Sequence, residues 1–147
     1  MNKISLKNKR IAIIGLGYVG LPLAVEFGKY RNVIGFDIDT KRVKSLSDGV
    51  DETCEIEPFE LGSAKNLVIT SDKSKLCDAE VYIVTVPTPV DSANDPDLSA
   101  LEKASLLVGN NLSDGNVVIY ESTVYPGVTE DVCVPILESA SGLKPLF

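Results

Sequence analysis

An α/β fold, a parallel sheet covered on both faces by helices, is predicted by three observations. Five short apolar or β-branched runs alternate with helix-like patterns along the 147 residues. These runs lack polar alternation, as expected of strands buried on both sides. Between the first run and the first helix stands Gly15-Leu16-Gly17-Tyr18-Val19-Gly20, the glycine spacing of a dinucleotide-binding βαβ unit. The expected architecture is a Rossmann-type doubly wound parallel sheet of about five to six strands. A single such domain is expected over residues 1–147.

Each element has its own warrant. A polar lead-in, residues 1–9, precedes the first strand at 10–14, where Ile11, Ile13 and Ile14 are β-branched. Gly15 permits a tight turn, Gly17 lets a pyrophosphate approach the backbone, and Gly20 lets the following helix lie close to the strand. Gly20, Leu23, Ala24 and Phe27 fall on one helical face. A second strand, 32–37, ends in Asp37, 22 positions after Gly15. That is near the spacing of the carboxylate that accepts from a ribose 2′-OH, so NAD is favoured over NADP, whose 2′-phosphate an acid repels. Arg42 is read as packing against the adenine or pairing with Asp37.

Asp39 is a plausible N-cap for a helix over 40–48, stopped by Gly49. The acidic stretch 51–58 reads as a solvated loop leading to a short helix over 59–64. A third strand is expected at 67–70, one helical turn over 71–76, and a fourth strand at 80–86. Pro87-Thr88-Pro89 ends that strand, and a loop runs on through 91–97. Ser99 and Glu102 have capping-box spacing ahead of a helix carrying Leu101, Ala104 and Val108. A fifth strand over 116–120 leads into 121–129. The final helix begins about Thr129, and Pro135 should kink or shorten it.

Composition narrows the function. The net charge of −7 offers no basic stripe for nucleic acid, whereas backbone N–H groups at a helix N-terminus still attract a dinucleotide's phosphates. No apolar run reaches membrane-span length, and no signal-peptide core precedes the first strand. Three dispersed cysteines, 54, 77 and 133, imply free thiols and a reducing cytoplasm. With no histidine and no clustered thiols, a zinc site is not expected. Ligands of such sheets occupy the crevice beyond the carboxyl ends of the strands. Thr88 and Thr123 follow strand ends there, and their hydroxyls either meet a ligand or merely close turns. Glu121 receives no catalytic role.

Three ordered segments carry a resemblance: Gly15-Leu16-Gly17-Tyr18-Val19-Gly20-Leu21-Pro22, Val86-Pro87-Thr88-Pro89 and Glu121-Ser122-Thr123-Val124-Tyr125-Pro126-Gly127. Together they resemble the N-terminal NAD-binding domain of the UDP-glucose/GDP-mannose dehydrogenase family. Residues 121–138, with Gly49-Val50-Asp51, are most similar to the branch that oxidises UDP-N-acetylhexosamines to uronic acids for surface polysaccharides such as capsule and O-antigen. The resemblance implies that Tyr18 and Val19 meet the pyrophosphate through backbone N–H groups. It places Asp37 and Arg42 at the adenosine ribose, Thr88 and Thr123 on the nicotinamide side, and Thr129 in support from the last helix. It also implies a homodimeric enzyme and two hydride transfers through a thiohemiacetal. The family's catalytic cysteine and its partners lie beyond the point matching Phe147, so catalytic residues are not expected here. Cys133 reads as a packed, inert thiol. A stand-alone NAD-responsive module, or another Rossmann dehydrogenase of the 3-hydroxyacyl or 6-phosphogluconate type, remains as an alternative.

Overall fold

The computed structural model describes residues 7–90 and 92–146, so most of the lead-in and Asp91 lie outside the described residues. The elements in chain order are β1 (Ile11–Ile14), α1 (Gly20–Gly28), β2 (Val33–Phe36), α2 (Thr40–Ser47), α3 (Pro58–Ser63), β3 (Leu67–Thr70), β4 (Val81–Val84), α4 (Ser99–Gly109), β5 (Val117–Tyr120) and α5 (Val134–Ser141). A 3₁₀ segment, Lys73–Asp78, stands where one helical turn was expected. The strands form one parallel sheet in the order β3-β2-β1-β4-β5. The sequence expectation of a doubly wound sheet therefore holds, with five strands among the described residues.

The central strand explains the layering. All four residues of β1 are buried, and the two-residue period of a strand sends them to opposite faces. Ala12 and Ile14 join Tyr82, Val84, Leu101, Val108 and Cys133 on one side. Ile11 and Ile13 join Leu21, Val25, Leu46 and Ile83 on the other. The outer strands β3 and β5 are only partly buried. Tyr82 places a phenol inside the first core, where its hydroxyl donates to the Leu76 carbonyl at 2.8 Å. Burial pushes that phenol up to about 12.

Local chemistry departs from expectation at two helix ends. Ser99 and Glu102 form no capping box: Leu98 is the N-cap of α4, and the Ser99 amide donates to Asp97 Oδ1 at 2.9 Å. The capping box occurs at α3 instead, between Glu57 and Glu60. The last helix is α-helical only from Val134, not from about Thr129, so its α-helical part is shorter than the segment from Thr129. A π-helical turn, Thr129–Cys133, runs into α5 with helical backbone at the junction, and Pro135 is the second residue of α5.

Among the glycines, Gly20 leaves the least room for a side chain. A Cβ there would overlap the Gly15 carbonyl oxygen and the Thr85 hydroxyl. Gly20→Ala is expected to cost about 3 kcal/mol through overpacking, measured as a lowered urea midpoint at unchanged slope.

Candidate cofactor site

The site begins at the carboxyl end of β1. Gly15 has φ +98°, a left-handed conformation that glycine adopts without strain. Its carbonyl accepts from Thr85 Oγ1 at 2.7 Å, and the same hydroxyl lies 3.1 Å from the Ile14 carbonyl. Thr85 is buried at the end of β4, so two adjacent strands fix the start of the turn. At Gly17, by contrast, no atom lies within 4 Å of where a Cβ would stand. The backbone is bare on that side, the space a phosphate needs. Tyr18 and Val19 are 69% and 54% exposed and lead directly into α1.

Between the first two glycines, Leu16 is gripped by two opposite charges. Its amide donates to Asp37 Oδ2 at 2.8 Å. Its carbonyl accepts from Arg42 Nε at 2.9 Å and Nη2 at 2.8 Å. Asp37 Oδ1 also accepts from the Asp39 amide at 2.9 Å. An ionised carboxylate has about four lone-pair sites, so two accepted bonds leave it able to receive a ribose diol. Asp39 caps α2 as expected, accepting from the Lys41 amide at 2.9 Å.

Arg42 corrects one expectation and Asp51 another. Arg42 is buried and pairs with Asp51 through Nη2 at 2.8 Å; its partner is not Asp37. The pairing was not legible because Asp51 sits in the stretch read as a solvated loop. Its side chain is 1% exposed. It accepts from the Thr53 amide at 3.0 Å and hydroxyl at 2.7 Å, and from the Glu55 and Ile56 amides at 2.9 and 3.0 Å. A usable signal was present: Asp51 stands two residues before Thr53, the spacing of an Asx turn. Arg42 Nη1 is buried and has no partner among the described residues.

A groove of about 980 Å³ runs along this end of the sheet. Gly15, Gly17, Asp37 and Arg42 line it, with Val86 and Pro87 after β4 and Lys103 and Leu107 on α4. Of the other sequence-predicted residues, Tyr18, Val19, Gly20, Thr88, Thr123 and Thr129 lie outside that lining. Thr88 and Thr123 are nonetheless brought together, since the Thr88 hydroxyl donates to the Thr123 carbonyl. The Thr88 hydroxyl thus ties the two post-strand loops together. Ser122 adds a parallel tie, its hydroxyl donating to the Val86 carbonyl at 2.7 Å. Thr129 opens the π-helical turn. Thr85 and Asp51 are the contributors that sequence reasoning missed.

The residues present fit a dinucleotide. The open side of Gly17 admits a pyrophosphate, Asp37 retains acceptors for a ribose, and Arg42 Nη1 is an unused buried donor beside the groove. The model of the UDP-glucose/GDP-mannose dehydrogenase family, NAD binding domain, matches residues 9–145. The chain belongs to this family. Its cofactor is NAD, and the chain is the NAD-binding domain of a nucleotide-sugar dehydrogenase. The chain is 53% identical over 139 residues to a UDP-N-acetyl-D-glucosamine 6-dehydrogenase of Pseudomonas aeruginosa, covering 95% of this chain and 33% of that protein. A protein of the same name from Salmonella typhi is 55% identical over 134 residues, 91% of this chain and 32% of its own length. Among solved structures, the UDP-D-ManNAc dehydrogenase of Pyrococcus horikoshii superposes with a TM-score of 0.84 at 39% identity, over 92% of this chain and 33% of that one. The chain thus spans about a third of the length of these family members. Among the described residues, no group of acidic, thiol or imidazole side chains is placed to hold a metal ion. Among the described residues, no helix is long and apolar enough to cross a membrane.

Asp51 generates a pH prediction. Burial opposes its charge, but hydrogen bonds from Thr53, Arg42 and Ile56 outweigh that and hold the carboxyl down at about 2, from an ordinary 3.8. A carboxyl depressed on folding stabilises the protein above its unfolded value, and that stability is lost as pH falls through the folded one. About 2 kcal/mol should therefore disappear between roughly pH 4 and pH 2. Urea unfolding across this range should show the loss in the wild type and a smaller loss in Asp51→Asn.

Proposed function

We propose that the groove holds NAD with the adenosine ribose at Asp37 and Arg42 and the pyrophosphate over Gly15, Gly17 and Gly20. The amides of Tyr18 and Val19 meet the phosphates, and the nicotinamide side extends toward Thr88, Thr123 and Thr129. The single observation that carries this reading is the Asp37 carboxylate, which shapes the glycine turn through Leu16 and still keeps acceptors facing the groove. Arg42 supports the choice of NAD over NADP. Its charge is already compensated by Asp51, so the groove keeps the negative character of Asp37 where a 2′-phosphate would lie.

NAD, when bound, supplies a hydride acceptor. The chain's own contribution is to bind and orient it: the turn leading into α1 presents the Tyr18 and Val19 amides, and the Thr88 and Ser122 ties hold the post-strand loops together at the far end. In the proposed enzyme this domain serves oxidation of the C6 alcohol of a UDP-N-acetylhexosamine to the uronic acid. The names of the relatives from Pseudomonas aeruginosa and Salmonella typhi support that substrate. None of Cys54, Cys77 and Cys133 suits the nucleophile's part. Two are exposed away from the groove's lining, and burial raises the third above the ordinary thiol value. The catalytic groups would come from outside these 147 residues. A cytoplasmic homodimer acting in capsule or O-antigen synthesis completes the proposal.

Calorimetric titration tests the cofactor site. Asp37→Ala should weaken NAD about tenfold, the order expected for losing hydrogen bonds to a charged group; equal affinities would remove Asp37 from the site. The wild type should prefer NAD to NADP, and Asp37→Ala should narrow that preference. For the substrate, the protein carrying this domain should form NADH with UDP-N-acetylglucosamine or UDP-N-acetylgalactosamine, while the 147-residue chain alone should form none.

A further inference from the structure

We infer that Asp51 is a positioning residue for the cofactor groove, acting through Arg42. The inference rests on the reading that this groove holds NAD. Asp51 lies outside the groove's lining, yet its buried carboxylate fixes the guanidinium that reaches it. Asp51 Oδ1 receives Arg42 Nη2 at 2.8 Å, and the remaining acceptor capacity is filled by Thr53, Glu55 and Ile56. So held, Arg42 directs Nε and Nη2 onto the Leu16 carbonyl, between the first two glycines. Its Nη1 is left buried and unpartnered among the described residues, on a side chain that lines the groove. The order of control runs from the loop after α2, through one ion pair, to the backbone of the glycine turn.

The alternative is that the pair merely fastens the 51–56 loop to α2. The two roles part in what they couple. A fastening role changes overall stability and leaves the glycine turn alone. A positioning role links Asp51 to NAD only by way of Arg42.

The experiment is a double-mutant cycle on the 147-residue chain with Asp51→Asn, Arg42→Met and both together, read by NAD titration and by amide hydrogen exchange. Asp51→Asn should weaken NAD about tenfold. The double variant should bind no worse than Arg42→Met alone, because the effect of Asp51 passes through that side chain. The Leu16 amide should exchange faster in Asp51→Asn while the Ile13 and Val84 amides keep wild-type rates. Wild-type NAD affinity in folded Asp51→Asn, or losses that simply add in the double variant, would overturn the inference. Should Asp51→Asn not fold, Thr53→Val keeps both charges, removes one donor to Asp51, and should weaken NAD about threefold; unchanged affinity there overturns it equally. If the wild type binds no NAD, the groove reading fails, and Leu16 exchange alone then decides whether Asp51 controls the turn.

Discussion

The Leu16 peptide unit is where this structure is most constrained, because a turn built from glycines has no side chains of its own to hold its shape. Asp37 takes its amide and Arg42 takes its carbonyl, while Thr85 takes the neighbouring Gly15 carbonyl. The three partners arrive from the end of β2, from α2 and from the end of β4. An open, permissive backbone is therefore fixed by elements whose positions the sheet sets. Glycine supplies the freedom and the surrounding charges remove it again. The result is an ordered cradle with Gly17 still bare toward the groove.

Burying Arg42 would be unfavourable without Asp51, since an unpaired charge in a protein interior costs several kcal/mol. The pair in turn draws the 51–56 segment inward, and that segment's amides satisfy the rest of the carboxylate. A stretch with a solvated composition thus becomes structural around one residue. Its acidic neighbours Glu52, Glu55 and Glu57 stay exposed. Charge here is organised by depth, with one acid buried and matched and the others in water.

On the opposite core, the last helix shows how local chemistry is absorbed by packing. Pro135 would leave a gap in the ladder of a continuous helix. Here the turn from Thr129 to Cys133 is π-helical and passes into α5 with helical backbone, the proline being the second residue of α5. Gly109 of α4 then meets α5 so closely that a Cβ would lie 2.7 Å from that of Ala140. The buried Cys133 is part of the same core, packed as its apolar setting in the sequence had indicated.

Much of this was legible in the chain. The strands, the parallel winding, the glycine turn and the placing of Asp37 all rest on short-range patterns, which a sequence displays directly. Asp39 capped the helix it preceded for the same reason. The capping box was misplaced because Ser99-to-Glu102 and Glu57-to-Glu60 offer similar local spacing, and Asp97 takes the Ser99 amide that a capping box would give to Glu102. What the sequence by itself determined was the set of elements and the acid at the end of β2. Which partner each buried polar group takes was decided by tertiary structure alone. Thr85 and Gly15 are 70 residues apart and Arg42 and Leu16 are 26 apart. No local pattern encodes such pairs, because they exist only once the sheet has brought separate strand ends into one groove.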